Sequence, residues 1–531
     1  MAADAHACAR EKERETPVGG GDHIEVDHLG SPVDWTSIEL LWQKVERARE
    51  NDWDRPTTWL PARLRRRAFL VAKSLPVFPG QSVLELGAGS GVWTECLDSA
   101  FAGQNPLTAA VFNEDLAHKA QSKELPNTKF IFSGGYGAAF PLEVFDCVVG
   151  TDILTDDLCP AALEVISQCL KPGGRFLFFA RNSSNPLAYC RKMSARLYGR
   201  NKGIDFQQAT TPELWTDAAA RRGFNNLELV PCEVIPPLHS SAGQAIGLIL
   251  ERAPVARRFS RIVSLRGAKP GSVVTDAAPQ VSLARHPQLF GTVSVVVPCH
   301  NEEANINRLV KTLLGMYGDY LHEIVIVDDN STDRTAEVAA ALASAEPRVK
   351  VVKRNPPGGV GRALRDGYAA ASGKYILTID CDFITIASEF TGLFDAAAEG
   401  YDGAIGSRFS SESALVRYPF FKILCNRGYH LLLNLLLGTR VRDISNNLKL
   451  YRAEILKDLD IEENHFAANV ETGLKPLLQN YRIREVPASW INRTAEEGSS
   501  SFNLLKVGPD YLRVLLRTSW RHWRGQYRAS R

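Results

Sequence analysis

Three short apolar runs in the second half of the chain each end in polar and acidic side chains. Val293-Ser-Val-Val-Val leads into Pro298 and then Asn301-Glu302-Glu303. Glu323-Ile-Val-Ile-Val leads into Asp328 and Asp329, and Tyr375-Ile-Leu-Thr-Ile into Asp380 and Asp382. Runs of this length bounded by polar residues read as buried strands, and open α/β sheets bind ligands beyond the carboxyl ends of their strands. Two carboxylates at i and i+2 reach one hard divalent cation if the backbone turns there, and oxygen ligands favour Mg²⁺ or Mn²⁺. The first half offers another chemistry. Glu85-Leu-Gly87-Ala-Gly89-Ser-Gly91 follows the apolar Val83-Leu84 and precedes a helix-like stretch. Glycine at alternate positions lets the backbone turn tightly and a ligand come close, and the helix start beyond it offers unpaired N–H groups.

Loops of this kind need strands and helices in alternation to hold them. Strand-like runs lie at 82–86, 107–112, 129–132, 145–149 and 175–180, and a second alternating set begins at Val293. Such alternation implies parallel sheets with crossover helices. The fold class read from this is α/β in two domains. A charged, Gly-rich tail covers 1–30, a first α/β domain 31–251, and a basic, Pro-punctuated linker 252–290. A second α/β domain covers 291–503 and a basic amphipathic helix 504–531. The cluster Arg63, Arg65, Arg66 and Arg67 reads as a solvated helix face.

Composition narrows the classes. Of 531 residues, 45% are hydrophobic and 23% charged, which excludes collagen-like, largely disordered and disulfide-scaffold chains. A net charge of +2 gives no reason to expect nucleic acid. The ten cysteines have no zinc-like spacing and read as reduced thiols of a cytoplasmic protein. The N-terminus lacks the apolar core of a secretory signal, and no run is apolar enough to span a bilayer. Peripheral attachment is expected instead. Arg513, Arg517, Arg521, Arg524, Arg528 and Arg531 recur at helical spacing beside Leu512, Leu516, Trp520, Trp523 and Tyr527, a pattern suited to an anionic membrane surface. Tyr418–Leu437 reads either as a core helix or as one lying at the bilayer surface.

With Leu170-Lys-Pro-Gly-Gly174 before a further apolar strand, the Glu85–Gly91 loop resembles class I S-adenosylmethionine-dependent methyltransferases, a Rossmann-like fold, over about residues 55–235. The resemblance implies S-adenosylmethionine contacts from Glu85, Gly87, Gly89 and Gly91. That family usually ends its second strand in an acid for the ribose. Val111 stands there, which leaves Asn113, Glu114 or water. An active methyltransferase and a docking module that keeps only the fold both remain open. Asp152, after the fourth strand, is placed to face a substrate.

Residues 291–503 resemble family 2 glycosyltransferases of the GT-A fold, through Pro298…Asn301-Glu302, Asp328-Asp329-Asn-Ser331 and Asp380-Cys-Asp382. Arg354…Gly358-Gly-Val-Gly361, Gly406-Ser-Arg408-Phe409, Arg442-Asp443 through Tyr451, and Trp490…Arg493 bring them nearer to dolichyl- and polyprenyl-phosphate glycosyltransferases. What this implies is a nucleotide-sugar donor held by Pro298, Glu302, Asp328, Asp329 and Arg354. Asp380 and Asp382 would hold Mg²⁺ or Mn²⁺ on its diphosphate. Arg408 and Arg493 would neutralise the leaving group, and Asp443 would orient sugar or acceptor. Transfer inverts the anomeric carbon, with a polyprenyl phosphate as acceptor. A glycan hydroxyl acceptor would need a base instead, for which Asp443 and Glu471 are the candidates.

Overall fold

The computed structural model describes residues 35–54, 60–75, 77–133, 140–182, 185–186, 211–234, 250–251, 256–271, 281–492 and 504–527. The expected tail at 1–30 lies outside them.

The first seven-stranded sheet runs β3-β2-β1-β4-β5-β7-β6. Its strands are β1 (Val83–Leu86), β2 (Leu107–Val111), β3 (Thr128–Phe132), β4 (Phe145–Thr151), β5 (Leu170–Arg181), β6 (Asn225–Cys232) and β7 (Ile262–Ala268). β1 to β5 are parallel, and β7 lies antiparallel between β5 and β6. Strand order reverses between β1 and β4, so the crevice of this doubly wound sheet opens beyond the end of β1, at Glu85–Gly91. Helices α1 (Trp35–Trp53), α2 (Leu60–Ser74), α3 (Val92–Ala100), α4 (Glu114–Gln121), α5 (Cys159–Cys169) and α6 (Pro212–Arg221) accompany it.

Residues 262–268 fall in the stretch expected as linker, yet they pair along their whole length with β5. Ile262, Val263 and Leu265 are buried. Seven residues with basic neighbours on both sides give too short a period for the sequence to reveal this strand.

The second sheet runs β10-β9-β8-β11-β14-β12-β15. Its strands are β8 (Val293–Cys299), β9 (Leu321–Asp328), β10 (Val349–Lys353), β11 (Tyr375–Thr378), β12 (Gly403–Ser407), β14 (Lys449–Arg452) and β15 (Ile483–Pro487), while β13 (Leu415–Val416) pairs with β16 (Trp490–Ile491). Only β14 is antiparallel to its neighbours. β8 pairs in parallel with β9, Cys299 opposite Asp328, and with β11, Val296 opposite Thr378. That register brings the three acidic strand ends to one edge. Helices α7 (Ile306–Tyr317), α8 (Thr335–Ala345), α9 (Val360–Ala370) and α10 (Thr391–Ala398) cover the sheet. α11 (Phe420–Leu437), α12 (Ala468–Leu478) and α13 (Leu504–Trp523) pack together beside the acidic edge. Elements around the two sheets meet: Lys73 pairs with Glu389 at 3.2 Å, and Phe78 joins the apolar core around Leu283 and Leu289. Among the described residues no helix is long and apolar enough to cross a membrane.

Candidate functional site

A cleft of about 1570 Å³ opens at the acidic edge of the second sheet. Pro298, Glu302, Asp329, Asp380, Asp382 and Arg408 all line it, and so do Lys422, Tyr429 and Asn426 of α11 and Pro509 and Tyr511 of α13. Asp328, Arg354 and Asp443 do not.

The donor side is built from turns. Asp329 follows β9, and its carboxylate accepts the Gly359 N–H at 2.6 Å and pairs with Arg354. Arg354 is also tied to Asp366 at 2.5 Å. Its guanidinium therefore orients Asp329 behind the cleft wall. Gly359 has φ +146°, and a Cβ there would collide with the Asn464 carbonyl, so no other residue closes this turn. Asp328 is buried and accepts the Ser331 N–H at 3.2 Å, which makes it a turn-former beneath the cleft. Glu302 accepts from the Asn305 side chain at 2.7 Å. Asp333 accepts the Thr335 N–H at 3.0 Å just ahead of α8.

Asp380 and Asp382 flank Cys381 at the end of β11, where the Cys381 thiol lies 3.1 Å from that of Cys299 on β8. The Asn447 amide donates to Asp380 at 2.6 Å and fixes its orientation. Among the described residues no three His, Cys, Asp or Glu side chains gather as a metal site. Two carboxylates suit a Mg²⁺-like ion that takes its other ligands from diphosphate and water. Asn447 stands in the stretch Asp443–Tyr451 that carries the resemblance, but nothing in the sequence marks it as the partner of Asp380. Asn447→Ala should weaken metal activation by about 10- to 100-fold, as loss of a ligand-orienting partner does. A Mn²⁺ titration of turnover checks this, and an unchanged half-saturation would refute it.

Asp443 is fully buried, and Arg408 grips it through two bonds, Nε–Oδ2 at 2.6 Å and Nη2–Oδ1 at 2.9 Å. Burial alone would raise its pKa, but the guanidinium overrides this and holds the carboxyl well below the usual range. The expectation that Asp443 orients sugar or acceptor therefore changes: it positions Arg408, which also lies against the ring of Trp490 at 5.3 Å and donates to Ser445 at 2.8 Å. His430 beneath them is neutral, pushed down to about 4 by burial. Its Nδ1–H donates to the Asn426 carbonyl at 2.8 Å, and Nε2 accepts the Ile444 N–H at 3.1 Å. Glu471 is equally buried and pairs with Lys475 and Arg517, both at 2.8 Å. Neither proposed base reaches the cleft. Arg493 lies outside the described residues.

The basic stripe of α13 also differs from expectation. Arg517 and Arg521 turn inward to Glu462, Glu463 and Glu471. Arg513 and Arg524 stay exposed, with Leu512, Leu516, Trp520 and Trp523. Arg528 and Arg531 lie outside the described residues.

In the first domain Gly87, Gly89 and Gly91 all take positive φ, between 59° and 78°. Asn113 is committed to capping α4, accepting the Leu116 N–H at 3.3 Å. Asp152 is held by Arg67 at 2.7 Å, and Arg67 also bonds Glu233, so Asp152 is not poised as a base. Arg63 and Arg66 pair with Glu233 and Glu251, so only part of that Arg cluster is solvated. Burial pushes Glu85 up to about 7. The folded state then binds the extra proton between pH 4.5 and 7, and stability falls as pH rises through that window. Glu85→Gln should remove on the order of 1–3 kcal/mol of this fall, read from denaturant midpoints across pH. An unchanged pH profile would contradict the assignment.

The segment 294–460 matches the family described as Glycosyl transferase family 2. It resembles dolichol-phosphate mannosyltransferases. The Dolichol-phosphate mannosyltransferase of Pyrococcus furiosus is 29% identical over 221 residues, 40% of this chain and 62% of that protein. The Polyprenol monophosphomannose synthase of Mycolicibacterium smegmatis is 27% identical over 38% of this chain and 77% of that protein. The match thus spans less than two thirds of the Pyrococcus relative. Among solved structures, glucosyl-3-phosphoglycerate synthase from Mycobacterium tuberculosis with Mn²⁺, UDP-glucose and phosphoglyceric acid is 21% identical, covers 45% of this chain and 87% of that one, and has a TM-score of 0.35. A SAM-dependent methyltransferase from Thermotoga maritima is 16% identical over 43% of this chain and 99% of that one, with a TM-score of 0.29.

Proposed function

We infer that the second domain transfers a sugar from a nucleotide-sugar donor to a polyprenyl phosphate, with inversion. One observation carries this reading. Asp443 and Glu471, the two candidates for the base a hydroxyl acceptor would need, are buried in ion pairs, whereas Arg408 and Lys422 line the cleft beside α11 and α13. A lipid phosphate is already an anion and needs positive charge rather than a base. Glu302 and Asp329 receive the nucleoside, and Asp380 and Asp382 would hold Mg²⁺ or Mn²⁺, which would supply positive charge for the diphosphate. Arg408 steadies the negative charge where donor and acceptor meet. The acceptor oxygen attacks the anomeric carbon in line while the nucleoside diphosphate departs from the opposite face. Incubation with a panel of nucleotide sugars, Mn²⁺ and short-chain polyprenyl phosphates tests the reading. Sugar appearing only on glycan hydroxyls would overturn it.

A cytoplasmic protein held peripherally on a membrane fits the same cleft. Phe421, Leu424, Leu431 and Leu435 of α11 are exposed, as are Leu512, Leu516, Trp520 and Trp523 of α13. The two helices are joined by Trp523 Nε1–H to the Leu436 carbonyl at 3.1 Å. With two of the arginines turned inward, adsorption depends more on apolar area than on charge. Trp520→Ala with Trp523→Ala should weaken co-sedimentation with anionic vesicles by at least about tenfold, at roughly 1.5–3 kcal/mol per buried apolar side chain. Equal sedimentation would sink the idea.

The first domain is read as a methyltransferase-like module acting on a related glycan or lipid-linked substrate. The Gly-rich loop at the sheet's crevice supports this. Calorimetry with S-adenosylmethionine tests it, and a silent titration favours a docking module instead.

A further inference from the structure

Helix α1 lies across the Gly-rich loop of the first domain. Three of its side chains reach into the crevice, Glu46 and, three and four residues on, Arg49 and Glu50. Glu46 is fully buried. Its Oε1 accepts the Gly89 N–H at 2.9 Å, and its Oε2 accepts the N–H groups of Phe112 and Asn113 at 3.0 and 2.8 Å. One carboxylate thus gathers amides from the loop after β1 and from the end of β2. Arg49 donates to the Gly87 carbonyl at 2.5 Å and to the Thr151 carbonyl at 3.3 Å. It spans the crevice from the end of β1 to the end of β4, with its guanidinium over the Trp53 ring at 4.4 Å. Glu50 accepts from Arg49 at 2.9 Å and from the Ser90 hydroxyl at 2.5 Å. A Cβ at Gly89 would collide with Glu50 and Arg49. The room that glycine leaves for a ligand is taken by the chain's own helix.

The residues present fit a cofactor of the S-adenosylmethionine type. Converging backbone N–H groups form a cradle for an anion, and such a molecule carries a carboxylate. Glu85 is fully buried beneath the loop, with the Thr94 hydroxyl as its hydrogen-bonding neighbour and Arg49 nearby, and a buried carboxylate is stabilised by a further cation. The same molecule carries an ammonium and a sulfonium.

We propose that α1 is an internal ligand of this crevice, in which Glu46, Arg49 and Glu50 take the cofactor's place, so that seating of the helix and binding of the cofactor exclude each other. Glu46 imitates the carboxylate of the molecule it displaces. The inference rests on the methyltransferase-like reading of this domain. A shift of α1 is then part of cofactor entry, and any partner that draws α1 away opens the site.

The test uses the full chain with S-adenosylhomocysteine as probe, in wild type, Glu46→Ala and Glu46→Gln, with sugar transfer by the other domain as the control for folding. Calorimetry should show both variants binding at least tenfold more tightly than wild type. Amide exchange without ligand should be at least tenfold faster at Gly89, Phe112 and Asn113 in the variants, and the probe should raise exchange along α1 of wild type. Equal affinity in all three proteins overturns the proposal, as does weaker binding by the variants, which would make Glu46 a cofactor contact. Unchanged exchange at the three amides also overturns it. Binding by none of the three, with the amides exposed in the variants, overturns the methyltransferase-like reading and this inference with it, a pattern distinct from the others.

Discussion

Asp382→Ala is expected to lower divalent-dependent sugar transfer by at least about 10³-fold, with the fold intact. Asp382 lies past the end of β11 in a ten-residue 3₁₀ segment, Cys381–Phe390, and lines the cleft with Asp380. The Asn447 amide orients Asp380, and Asp382 stands two residues further on along the same cleft wall. Loss of a group that stabilises developing charge in a water-poor site costs on the order of 10²–10³ in turnover, and loss of the ion itself removes several kcal/mol more. Initial rates over a Mn²⁺ series, with circular dichroism as the folding control, check it. Turnover retained within tenfold would exclude the metal assignment.

The second large effect is on stability. Asp443→Ala leaves the Arg408 guanidinium buried with its main partner gone, and breaking a buried ion pair from one side costs about 3–5 kcal/mol. Arg408→Met combined with Asp443→Leu should recover most of that loss, since a well-packed apolar pair replaces the desolvated charges. The double variant should still fail in transfer, because Arg408 faces the cleft. Denaturant midpoints of the two variants separate the roles, and a single variant as stable as wild type would refute the account. The sign with pH is fixed by the depressed carboxyl of Asp443. Its contribution is complete above the ordinary carboxylate range and is lost only as pH falls through the lower, folded-state value.

What the sequence reveals and what it hides divide along a physical line. Strands are legible because a buried strand writes itself as a local apolar run, as at Val293–Val297 and Glu323–Val327. The strand-end acids follow, and Glu302, Asp329, Asp380 and Asp382 do share the cleft. Partners are not legible, because they are set by tertiary contact. Asp443 looks like a substrate group until Arg408, 35 residues away, is seen to occupy it. Arg517 looks like a membrane contact until Glu471, 46 residues away, takes it. Glu46 has no signal in its neighbourhood, since the amides it serves lie at Gly89 and at Phe112 and Asn113. β7 is hidden for the opposite reason: its local signal is real but too brief to stand out from basic flanks.

Helix α13 belongs to two surfaces at once. Pro509 and Tyr511 wall the cleft, while Trp520 and Trp523, two to four turns further on, face outward. Arg517, between the two ends, is anchored to Glu471. Should the bilayer pull on one end, the other cannot stay where it was. If α13 adsorbs as proposed, lipid and nucleotide sugar would be linked reciprocally: whatever factor one imposes on binding of the other, it would receive in return.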